Sequence, residues 1–169
     1  MVNACQMTVN KVFEVVNSLR GGRWLKDDQA AIDVLSGLGF AERPGTVTAL
    51  PSGLQQRHLD PAPGIDHATL SSLDGEPTSV IMFFASSLES ASRTTRSEYE
   101  ALVSSLTALL GLPRRVWADE PTPLLWPDTD LDIGVQLFDR HDSTVMVWVE
   151  HRKRSEIAEQ RAMVEESAR

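Results

Sequence analysis

The chain has a single cysteine, Cys5, among 169 residues, so it can form neither an internal disulfide nor a thiolate metal cluster. Its four histidines, His58, His67, His141 and His151, include no pair one helical turn apart of the kind that ligates a metal. Aromatic residues are only 6% of the chain, which leaves little to build a sugar cleft around paired carboxylates. No apolar run reaches the length of a membrane span or a signal-peptide core, and a soluble, cytoplasmic protein is expected. Bases are in the minority too: 16 Lys and Arg face 24 Asp and Glu, for a formal charge of −8. That balance repels nucleic-acid phosphates and anionic membranes. Glycines exist but cradle no phosphate, because Gly21-Gly22 follows a helix and Gly37 and Gly39 lie at a helix end. No cofactor and no metal are expected.

What is present fits one globular domain: 41% of residues are apolar and 24% charged, enough to bury a core without staples. Residues 1–7 read as a free end, 8–152 as a single domain, and 153–169 as a charged C-terminal helix. Val9, Val12, Phe13, Val16 and Leu19 recur at helical spacing up to Gly21-Gly22. A second helix starts at Asp27 or Asp28, whose side chain can cap it, and carries Ala31, Ile32, Leu35 and Leu38. Trp24 is expected where these two helices meet.

The period then shortens. Residues 46–50 read as a strand, followed by a Pro- and Gly-rich loop through Pro61, Pro63 and Gly64. Residues 67–73 and 77–85 flank Asp74-Gly75, a dipeptide suited to a tight hairpin. Val80 to Phe84 is apolar on both faces, so its strand is covered on each side or meets a partner chain on one. Thr95 and Glu98 have capping-box spacing before a helix with Tyr99, Leu102, Val103, Leu106 and Leu110 on one face, stopped by Gly111 and Pro113. Residues 114–117 are a possible short strand. Leu131, Ile133, Val135 and Leu137 alternate with polar residues and turn back through residues 139–142 into a second strand at 144–149. The order α-α-β-β-β-α-β-β-β-α predicts an α+β fold: a largely antiparallel sheet of five to six strands with helices mainly on one face.

The charge is uneven. Residues 119–142 hold seven acids (Asp119, Glu120, Asp128, Asp130, Asp132, Asp139 and Asp142) against Arg140 alone, a net −6. Trp117, Leu124, Leu125 and Trp126 lie in or beside this stretch. Trp126 is expected to be partly exposed, and a strand through residues 128–132 would set its three aspartates on one face. Asp119, Glu120, Trp126, Asp128, Asp130 and Asp132 are therefore the candidate partner-binding residues, suited to a basic protein surface. The other reading is a solvated acidic loop.

Catalytic chemistry has weaker claims. His58-Leu59-Asp60 and His141-Asp142 could each orient an imidazole, yet no serine lies in a strand–elbow–helix context that would make it their nucleophile. Asp128, Asp130, Asp132 and Asp139 imitate a calcium loop, but Ile133 stands where that loop needs glycine.

Two resemblances follow, one from the packing residues and one from the order of elements. Leu35-Ser36-Gly37-Leu38-Gly39-Phe40 after Trp24, and Leu109-Leu110-Gly111-Leu112-Pro113 before Trp117, Trp126 and Trp148, resemble small actinobacterial α+β proteins, some of them similar to immunity proteins that neutralise a toxin. This implies a non-catalytic inhibitor, monomeric or homodimeric, that meets a basic toxin surface with its acidic segment. The order of helix, three strands, helix, strands and helix also resembles the secretion-chaperone-like fold. That implies a chaperone or assembly adaptor using its sheet or last helix, and a small hydrolase is the remaining alternative.

Overall fold

The computed structural model describes residues 4–116 and 122–168. Two α-helices, α1 (Ala4–Arg20) and α2 (Asp28–Gly37), precede four strands, β1 (Ala41–Ala49), β2 (Leu54–Asp60), β3 (Ile65–Leu73) and β4 (Glu76–Ser87). Helix α3 (Arg93–Leu110) leads to β5 (Arg114–Arg115), β6 (Leu124–Asp128), β7 (Leu131–Phe138) and β8 (Ser143–His151), and α4 (Arg152–Ser167) follows. All eight strands form one antiparallel sheet in the order β1-β2-β3-β4-β8-β7-β6-β5. Each half of the chain thus makes a four-stranded meander, and the two join where β4 pairs with β8.

The α+β class agrees with the sequence; the strand number does not. Two strands were expected to be loop. Residues 54–60 form β2 although they are mostly polar, and residues 124–128 form β6 despite Pro127. Proline is tolerated there because β6 has only the two-residue β5 on its outer side, so a missing amide costs little. At the N-terminus α1 begins by Ala4, inside the segment expected to be a free end.

Local chemistry explains the boundaries. The Asp27 carboxylate accepts from the Ala30 amide at 2.9 Å and caps α2. Asp74 and Gly75 both have positive φ, 53° and 78°, which a two-residue turn of the mirror-image kind requires. Ser92, not Thr95, caps α3 by accepting from the Thr95 amide. The Thr95 hydroxyl instead donates to the Ala85 carbonyl at 2.6 Å, tying the helix to the end of β4.

One face of the sheet holds the core. Leu59, Ala68, Leu70, Val80, Met82, Phe84, Ile133, Val135, Val145, Val147 and Val149 point the same way and are buried. Helices α1, α2 and α3 cover them with Val9, Val12, Val15, Val16, Leu19, Ala31, Leu35, Leu102 and Leu106. Helix α4 crosses one end of the opposite face, where the Ser155 hydroxyl donates to the Thr78 carbonyl at 3.4 Å. Trp24, between α1 and α2, packs against the core cluster; its Nε1 donates to the Pro77 carbonyl at 2.8 Å, and its ring lies 6.3 Å from that of His151.

Candidate functional site

The acidic segment folds as a hairpin whose three aspartates diverge. Asp128 ends β6, Thr129 and Asp130 make the turn, and Asp132 lies on β7 opposite Pro127. Thr129 takes a φ of 51° to close it. Alternation along the strands sends Asp128 to the helix side and Asp132 to the other face, so the expected single acidic face does not form.

Two of the three carboxylates are answered from within the chain. Arg20 of α1 donates to Asp128 at 2.8 Å. Arg152, the first residue of α4, places Nε 3.2 and 3.1 Å from the two Asp132 oxygens and Nη2 2.8 Å from Oδ1. The same guanidinium donates to the carbonyls of Thr129 and Leu131, and the Arg152 amide donates to that of Asp130. Asp139 is likewise bound by Arg96 at 2.6 Å. Asp130 and Asp142 are exposed.

The exposure expected of Trp126 is corrected. It retains 1% of its accessible surface, points to the core beside Ile133, and donates from Nε1 to the Gly111 carbonyl at 2.9 Å. A buried indole with its N–H satisfied is a packing residue of the free protein, because reaching a partner would first require unpacking it. Asp119, Glu120 and Trp117 lie outside the described residues. The structure therefore brings Trp126, Asp128 and Asp132 into one hairpin without making them a charged, tryptophan-centred surface.

A different surface stands out on the far side of the sheet. Ile81 pairs laterally with Trp148, and Phe83 with Met146, making a two-by-two apolar block at the β4–β8 junction. All four side chains are half-buried, and no helix among the described residues covers the centre of this face. Gly134 lies across from Trp148 on β7, and a Cβ there would come within 1.9 Å of the Trp148 ring. The indole thus lies over the glycine, with its Nε1 donating to Glu150 at 3.3 Å, and extends the apolar surface onto β7. Beyond Phe83 the face turns polar through His67, Thr69 and His58, with His67 and Phe83 rings 6.2 Å apart.

That polar corner holds a contact not visible in sequence. Antiparallel pairing of β2 and β3 brings His58 Nδ1 to 3.2 Å from His67 Nε2. The Thr69 hydroxyl lies 3.4 and 3.5 Å from the same two nitrogens. Burial first, then His58 and the Arg43 guanidinium, hold the His67 imidazole below its ordinary value of 6.5. Asp60, which the sequence offered as an orienter for His58, accepts instead from Arg43 at 2.8 Å. The signal that could have found the pair was β2 itself, since two facing strands with an imidazole each bring ring atoms within reach.

Under α4, Glu150 also faces this side. Burial pushes its carboxyl up, hydrogen bonds from Ser155 and Trp148 oppose the rise, and Asp132 and Glu159 add to it. No helix among the described residues is long and apolar enough to cross a membrane. No known protein family, curated protein or solved structure matches the chain.

Proposed function

We propose that this chain is a non-catalytic protein-binding module that offers the uncovered centre of its sheet to a polypeptide partner. The observation that carries the reading is the Ile81–Phe83–Met146–Trp148 block, left half-buried in the middle of an eight-stranded sheet whose other face is packed under helices along its central strands. Apolar side chains at the centre of a sheet gain roughly 25 cal/mol per Å² when a partner covers them. Central aromatic and methionine side chains are also the types enriched at binding surfaces. The sequence raised two alternatives for such a strand, cover on each side or a partner on one, and the half-burial of Ile81 and Phe83 supports the second.

Within that class, the toxin-inhibitor reading loses its specific support, since Trp126 is buried and Asp128 and Asp132 are bound by Arg20 and Arg152. An adaptor or chaperone-like module that works through an open sheet accords better with the geometry. Catalysis by His58 finds no support either, because its imidazole faces another imidazole and not a carboxylate.

The test compares surface variants for capture of partners from the native host. Replacing Phe83 and Met146 by glutamine is expected to leave cooperative melting in place and to weaken partner capture by tenfold or more, the scale of central interface side chains at roughly 1.4 kcal/mol. Full capture by that double variant, together with loss of capture by Asp130→Lys, would return the binding role to the acidic hairpin.

A further inference from the structure

We propose that His58 and His67 form a chelating site for a borderline divalent transition cation such as Zn²⁺ on the open face of the sheet. The geometry is close to what such an ion requires. Two imidazole nitrogens each 2.0–2.1 Å from a tetrahedral zinc stand about 3.3–3.4 Å apart. Here His58 Nδ1 and His67 Nε2 are 3.2 Å apart, with their ring planes inclined at 45°. An ion can therefore replace the proton between them if the nitrogens part by roughly one or two tenths of an ångström and each ring turns its lone pair toward a point beside the line that joins them.

The surroundings fit the same ion. Thr69 Oγ1 stands nearly equidistant from both nitrogens, at 3.4 and 3.5 Å, where it can hold a metal-bound water or enter as a weak ligand. Imidazole with oxygen donors selects zinc, copper or nickel over calcium or magnesium. Adjacent strands fix both rings in advance, so little ordering remains when the ion arrives. Arg43 is the opposing charge, and its pairing with Asp60 at 2.8 Å offsets part of its repulsion. The described residues contain no group of three or more His, Cys, Asp or Glu side chains able to hold a metal. The site therefore has two protein nitrogens, and its remaining positions are left to water or an added donor.

Titration calorimetry with Zn²⁺ alone tests this on the full chain in a Cys5→Ser background, so that the sole thiol does not compete. One zinc per chain is expected at pH 7.5, with long-range ¹⁵N spectra showing the perturbation at His58 Nδ1 and His67 Nε2. Either His58→Ala or His67→Ala should weaken binding by at least about tenfold, the lower end of what even outer partners of metal sites contribute. Binding should also weaken as the solution is made acidic, because protons compete with the ion for the imidazole nitrogens. Absence of binding up to about 1 mM zinc, or binding that both alanine variants retain, would overturn the site. Because the measurement uses no partner, its failure leaves the protein-binding reading untouched, and the reverse also holds.

Discussion

The guanidinium of Arg152 grips both oxygens of Asp132 and two carbonyls of the same hairpin, so the first residue of α4 closes the tip of β6–β7. A carboxylate fixed this way serves the fold. Reversing Asp128, Asp130 and Asp132 together would therefore loosen two internal ties before it altered any surface potential. Asp130, exposed in the turn, is the cleaner probe of charge.

Arg152→Ala is expected to lower stability by about 1–3 kcal/mol, the cost of removing charge-assisted hydrogen bonds from a mostly shielded carboxylate. Arg152→Lys should recover less than half of the loss, since an ammonium cannot make the fork. The shift of the urea midpoint at constant slope measures both.

Gly134→Ala should cost about 1–3 kcal/mol, the range for overpacking a filled site. The new methyl would meet the Trp148 ring at 1.9 Å, and the indole would have to swing off the sheet. A red shift in tryptophan emission together with a lower melting temperature is the expected signature.

Trp126→Ala is expected to destabilise by about 3–5 kcal/mol, as for other buried aromatic truncations. Trp126→Phe keeps most of the volume and loses the bond to the Gly111 carbonyl. That variant should melt earlier yet bind its partner at an unchanged rate at temperatures where it is folded. A slowed on-rate in Trp126→Phe would show that the indole reaches the partner.

Glu150 sets a pH dependence with a definite sign. Its folded carboxyl titrates above its ordinary value of 4.5, so the folded state holds the proton more tightly than the unfolded chain. Its contribution to stability is full below that ordinary value and is lost as pH rises through the raised one. Glu150→Gln should therefore raise the melting temperature at pH 7, and the gain should vanish in acid. Equal effects at pH 7 and pH 4 would mean that the carboxyl titrates normally.

Much of this fold could be read from side-chain periodicity. The α3 stripe, the Asp74-Gly75 hairpin and the alternation in β7 each put residues where the structure has them, because there one face is buried and the pattern is strict. β2 escaped because its core-side position Arg57 meets Glu42 and Asp28 instead of apolar neighbours, so no alternation was written into the sequence. β6 escaped because Pro127 and the surrounding acids look like a loop, although Leu124 and Trp126 alternate inward. Missing β6 made Trp126 look exposed, and missing β2 hid the meeting of His58 and His67. In both cases the decisive information was which strand lies alongside, a long-range pairing that no local window contains.

The order of strands also bears on how the chain is made. β4, which carries the unbroken apolar run Val80 to Phe84, pairs with β3 on one edge and with β8 on the other. β8 is the last of the described strands to leave the ribosome. Until it arrives, the nascent N-terminal half displays an unsatisfied row of amides and carbonyls beside Val80 to Phe84, the kind of edge that recruits other chains. Truncation before residue 143 should accordingly yield an aggregating fragment and not a smaller soluble domain.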